Sequence, residues 1–149
     1  MATKKRINYR LLRKCQDLFK RKPQKAYMDG WVCDMNDAIL PAAGEEVPIC
    51  KTHCCIGGSA LLLSGTVRMT STGEDITYTS KSGKTQGEFN WWKEAKKVLG
   101  LTQHQAIILF NEGHWPQQFQ SEDNDRGSRT LARNMVKRID HFIKTKGME

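Results

Sequence analysis

Cys50, His53, Cys54 and Cys55 fall within six positions and carry the side chains in this chain best suited to chemistry. Thiolates and imidazoles ligate zinc, and a cysteine at a helix N-terminus gains reactivity because the helix end lowers its thiol pKa. Zinc would draw further ligands from Cys33, His104 or His114, yet no second Cys-x-x-Cys or His-x-x-x-His supplies the other half of a site. A cysteine nucleophile would need His104 or His114 as its base, and nothing in the spacing brings either one to it. The plainer expectation is a buried thiol cluster at a tightly packed helix start. Cys50, His53, Cys54 and Cys55 are therefore reserve metal candidates only, and the reading assigns no catalytic residue and no cofactor. Ser82-Gly83-Lys84-Thr85 has the residues that close a phosphate-binding loop, but the glycine needed five positions before Gly83 is Tyr78, which argues against nucleotide binding.

Charge is the stronger signal. The 149 residues carry a formal net charge of +8. Residues 1–25 hold ten basic side chains (Lys4, Lys5, Arg6, Arg10, Arg13, Lys14, Lys20, Arg21, Lys22 and Lys25) against one acid, Asp17, for a net +9. Residues 26–149 hold 14 basic and 15 acidic groups, a net −1. Like charges at this density repel one another, and a polyanion relieves that cost while releasing its own counterions. The basic residues of 1–25 are accordingly the candidate nucleic-acid contacts; a solvated helix face with no partner is the plain alternative. A membrane-surface role would need the apolar side of the same segment to be free.

The elements that must position these groups follow from periodicity and punctuation. Leu11, Leu12, Cys15, Leu18 and Phe19 form a helical stripe, with Asn8 as N-cap and Pro23 ending the helix. Residues 40–48, with two prolines and a glycine, read as irregular structure. From Thr52 to Gly65 runs the most apolar stretch, expected to be a central buried helix whose Gly57, Gly58, Ser59 and Ala60 let another backbone approach closely. Residues 66–87 are polar, and the weak alternation of Val67, Met69, Ile76 and Tyr78 predicts a β-hairpin around Gly73 or a polar loop.

Further helices are expected after Asn90, after Thr102, which makes a capping box with Gln105, and after Ser128. The fold class is mainly α: one domain over 1–149, a compact bundle of about five helices with one small β-hairpin insertion. Of the adjacent pair Trp91 and Trp92, the stripe turns Trp91 inward, leaving Trp92 as an exposed partner contact. Trp115 is expected to fill the core edge where the chain turns. No stretch reaches the roughly 18 apolar residues a membrane span requires. The five cysteines, an odd number, and a basic N-terminus with no apolar run behind it point to reduced thiols in a cytoplasm.

The stretch Cys50-Lys51-Thr52-His53-Cys54-Cys55-Ile56-Gly57-Gly58-Ser59-Ala60 resembles a C-G-T-x-x-C-I-A-G-x-A segment of a family of small, functionally uncharacterised bacterial and phage proteins. Met28-Asp29-Gly30-Trp31, the run from Leu99-Gly100-Leu101-Thr102 through Leu109-Phe110 to Trp115-Pro116, and Arg138-Ile139-Asp140-His141-Phe142-Ile143 are similar to the same group. Lys51 and Ser59 depart from its pattern. The resemblance implies frame roles for Cys50, Cys55, Gly58 and Trp115, and an origin in a phage or its bacterial host. It carries no activity. Together these readings give a non-enzymatic accessory protein whose basic face binds nucleic acid or a nucleoprotein, for example as a host-takeover or counter-defence factor. A second reading is a protein–protein adaptor or inhibitor acting on a host protein through residues 66–87 and Trp92. A zinc or cysteine enzyme comes third.

Overall fold

In the computed structural model the described residues are 6–28, 31–34, 42–46, 52–71, 76–80, 90–120 and 128–149. Asn8 opens the first helix, α1 (Tyr9–Arg21), by accepting the Leu11 N–H on its side chain. That bond satisfies one of the orphan donors of the first turn. The helix stops at Lys22, before Pro23, and a 3₁₀ turn over Pro23–Lys25 follows. Among the described residues four more helices follow: α2 (Ile56–Leu63), α3 (Trp91–Leu99), α4 (Gln103–Phe110) and α5 (Arg129–Lys144). The protein is mainly helical, as the periodicity predicts, and the side-chain caps at Asn8, Asn90, Thr102 and Ser128 are all made.

Helix α2 is buried from Ile56 to Leu62 and touches α1, α3 and α4. Its stripe-free apolarity suits a position with neighbours on every side. The core around it is built from Leu12, Cys15 and Phe19 of α1, Leu99 of α3, Leu109 of α4, and Leu131, Met135, Ile139 and Phe142 of α5. Trp115 is buried and donates its indole N–H to the Leu109 carbonyl at 2.9 Å, so it closes the core edge as expected.

The hairpin is present as β3 (Val67–Ser71) and β4 (Ile76–Ser80), paired antiparallel with Met69 opposite Tyr78. Val67 and Met69 turn inward, and the Glu45–Glu46 segment adds to the outer edge of β3 through a bridge between Glu46 and Thr70. The turn at Gly73 and residues 81–87, including the Ser82–Thr85 motif, lie outside the described residues.

Two local expectations are corrected. Thr52–Cys54 is not the first turn of the central helix. It is a strand, β2, antiparallel to β1 (Val32–Asp34), and the helix begins only after Cys55. Thr52 and His53 lie before the run of small and apolar residues that can sustain a buried helix, and the strand is instead held by backbone partners on both sides, β1 and Ala26. The close approach at Gly57 is also made by a side chain, not a backbone. A Cβ there would collide with the ring of Trp31.

Candidate nucleic-acid interface

Helices α1 and α5 lie side by side and antiparallel. Arg13 of α1 meets Asp140 of α5, and one turn on, Gln16 Nε2 donates to the Val136 carbonyl at 3.0 Å. The pairing follows from the stripes: Leu12, Cys15 and Phe19 face the same core as Leu131, Met135, Ile139 and Phe142. What remains outside is strongly cationic. α1 carries five basic residues against one acid, Asp17, and α5 carries five against Asp140, four of them exposed because Arg138 is buried.

Asp140 is used twice. One oxygen accepts from Arg13 at 3.1 Å and the other from Lys144 at 2.8 Å. The Lys144 and Arg13 hydrogen bonds hold its carboxyl below the usual carboxylate range. A single anion thus stitches two cations of neighbouring helices together and leaves the cluster with surplus positive charge. Beside it, Lys20 of α1 and Lys137 of α5 line a cleft of about 460 Å³ together with Asp140, His141, Lys144 and Phe119.

The candidate contacts sort as follows. Arg6, Arg10, Lys14, Lys20, Arg21 and Lys22 are exposed. None of them forms an ion pair with a carboxylate among the described residues; Arg21 only donates from Nε to the Asp17 carbonyl. Arg13 is half exposed and paired. Lys25 is a correction: it ends the Pro23–Lys25 turn completely buried and is not free, so it takes no part in a surface. Lys4 and Lys5 lie outside the described residues.

The contribution of α5 is what the sequence reading misses. Arg129, Arg133 and Lys137 recur every four residues and are all exposed, with Lys144 further along. Summed over residues 26–149 they cancel against acids such as Glu122, Asp123 and Asp125, which precede the helix in sequence. The i, i+4, i+8 spacing was the available signal.

Trp92 is likewise corrected. It is half buried, not exposed: its ring packs edge-on against Trp31 at 6.2 Å and Phe110 at 5.7 Å, and its indole N–H donates to Gln103 Oε1 at 3.0 Å. Trp91 stacks on Trp31, centroids 6.1 Å apart. Both tryptophans therefore belong to one aromatic cluster over Gly57.

The thiols are protected rather than activated. Cys55 caps α2, its Sγ accepting the Gly58 N–H at 3.2 Å. Burial nonetheless outweighs the helix end and pushes its pKa up to about 11, and burial pushes Cys15 up to about 12. Cys54 is also buried. Among the described residues no three His, Cys, Asp or Glu side chains converge as a metal site. Cys50 and the side chains of Cys33 and His53 lie outside the described part, and His104 and His114 are exposed. Also among the described residues, no helix is long and apolar enough to cross a membrane. Comparison of the chain with family models, curated proteins and solved structures finds no match.

Proposed function

We propose that this protein is a non-enzymatic nucleic-acid-binding protein that engages the phosphate backbone through the joined faces of α1 and α5. The observation that carries the reading is the side-by-side packing of two cationic helices: Arg10, Lys14, Lys20 and Arg21 of α1 and Arg129, Arg133 and Lys137 of α5 are exposed and form no ion pair with a carboxylate among the described residues, while Asp140 bridges Arg13 and Lys144. A row of lysines and arginines with their stems held on rigid helices presents charge at little entropic cost, which suits a polyanion read by its backbone.

Reversing exposed charges on both helices is the test. In Lys14→Glu/Lys20→Glu/Lys137→Glu the three side chains are at the surface, so folding is preserved. Binding to a DNA or RNA oligonucleotide at low salt is expected to fall by at least a hundredfold. Wild-type affinity in the triple variant would remove the α1–α5 face from consideration.

A further inference from the structure

The segment after α5 folds back on the helix it leaves. Lys146 and Gly147 both take left-handed backbone conformations, φ 54° and 69°, and Lys146 is the one residue other than glycine with a positive φ among the described residues. A residue with a Cβ occupies that region at a cost. The turn carries the Glu149 carboxylate onto Arg138, whose guanidinium is fully buried. Met148, just before it, is exposed, so that link is not held by an apolar anchor.

The donors that meet the carboxylate there outnumber what two oxygens serve well. Oε1 accepts from Arg138 Nη1 at 2.6 Å, from His141 Nδ1 at 2.7 Å and from the Thr145 hydroxyl at 3.3 Å, while Oε2 accepts from Arg138 Nη2. One oxygen with two lone pairs thus faces three donors. Arg138 Nε is also buried, and it has no hydrogen-bond partner among the described residues. A guanidinium fork beside an imidazole and a hydroxyl is equally a donor set for phosphate. The cationic cleft adjoins this site through two shared residues. His141 and Phe119 line the cleft with Lys20, Lys137 and Lys144; His141 also holds Glu149, and the Phe119 ring lies 6.0 Å from the Arg138 guanidinium.

Resting on the phosphate-binding reading of the α1–α5 face, we infer that Arg138, His141 and Thr145 form a site for the terminal phosphate monoester of a strand whose neighbouring phosphates run along the cleft, and that the Glu149 carboxylate is the stand-in it displaces. A monoester brings three free oxygens and a charge of about −2 to these donors. An internal diester brings two oxygens and a single charge, no more than the carboxylate already there. The site therefore selects strand ends.

The test is fluorescence anisotropy at pH 7.5 and low salt with four single-stranded probes. Three are 12-mers carrying a 5′-phosphate, a 3′-phosphate or hydroxyls at both ends. The fourth is a hydroxyl-ended 14-mer, whose two extra diesters match the charge of the added monoester. At least one phosphorylated 12-mer is expected to bind about tenfold tighter than either hydroxyl-ended strand, the gain one further charged hydrogen bond supplies; which one shows the end that is read. In Arg138→Met/Glu149→Gln, which removes guanidinium and carboxylate together, that gain is expected to vanish while the hydroxyl-ended 12-mer binds as it does to wild type. Phosphorylated strands that bind no tighter than the 14-mer, or a gain that survives in the folded double variant, overturn the terminal-phosphate site and leave the phosphate face standing. Binding of none of the probes overturns both.

Discussion

Arg138 is fully buried on α5, and its guanidinium is held by the Glu149 carboxylate, the Ile108 carbonyl at 3.0 Å and the ring of Phe119 at 6.0 Å. Removing one member of such a pair strands a charge in a dry site, which costs far more than the intact pair contributes. Glu149→Gln is therefore expected to lose about 3 kcal/mol in urea denaturation, whereas Arg138→Met/Glu149→Gln recovers most of it. Burial works against the Glu149 carboxylate, but Arg138, aided by His141, more than offsets this and holds its pKa below its ordinary 4.5. A carboxylate whose folded pKa is depressed binds fewer protons folded than unfolded. Its stabilising contribution is thus complete above pH 4.5 and drains away as pH falls through the lower folded value. Unfolding curves collected downward from pH 5 should show wild type converging on Glu149→Gln. Cys15 and Cys55 carry a second prediction at this scale. With pKa values of about 12 and 11, they hold a vanishing thiolate fraction near neutrality. Peptide mapping after iodoacetamide treatment at pH 7.5 should find both unlabelled in the native protein and both labelled in urea; rapid native labelling of Cys55 would show that the helix end wins over burial.

The elements are fixed to one another at glycines. Gly100 ends α3 in the left-handed region, φ 66°, and a Cβ there would strike the Arg6 carbonyl as the chain enters α1. Asn8 secures the same junction, its backbone N–H donating to the Leu99 carbonyl at 2.8 Å. At Gly57 two effects oppose each other. Alanine would improve helix α2 by about 1 kcal/mol. Yet Trp31 is in ring contact with Trp91, Trp92 and Phe110 and would have to be pushed off the new Cβ, so overpacking at about 1–3 kcal/mol decides the sign. Gly57→Ala should lower the melting temperature and shift tryptophan fluorescence, while an unchanged melt would mean the cluster is loosely packed. Local rules made most of these elements legible in the sequence: Asn8, Thr102 and Ser128 announce their helices by side chains that act within three residues, and Gly100 announces a stop. The strand at Thr52–Cys54 was not legible, because its three residues pair with Val32–Asp34 and Ala26, partners distant in sequence. Nor was the burial of Lys25 or of Trp92, since each depends on what tertiary packing lays over it.

Over the whole molecule, folding redistributes charge that sequence order conceals. Residues 26–149 sum to −1, yet α5 within them carries five basic residues and one acid and is laid against α1. The basic N-terminal segment was visible from composition; its extension across α5 was not, because the cancelling acids are neighbours in sequence. The resulting face spans two helices, with Asp140 as the joint between them. Its purpose is open to one decisive measurement: the affinity for a single-stranded oligonucleotide as a function of salt. If about five phosphates are neutralised across α1 and α5, log K should fall linearly with log salt at a slope of about −3.5. A slope near zero, or no binding at 20 mM salt, would contradict a phosphate-reading face.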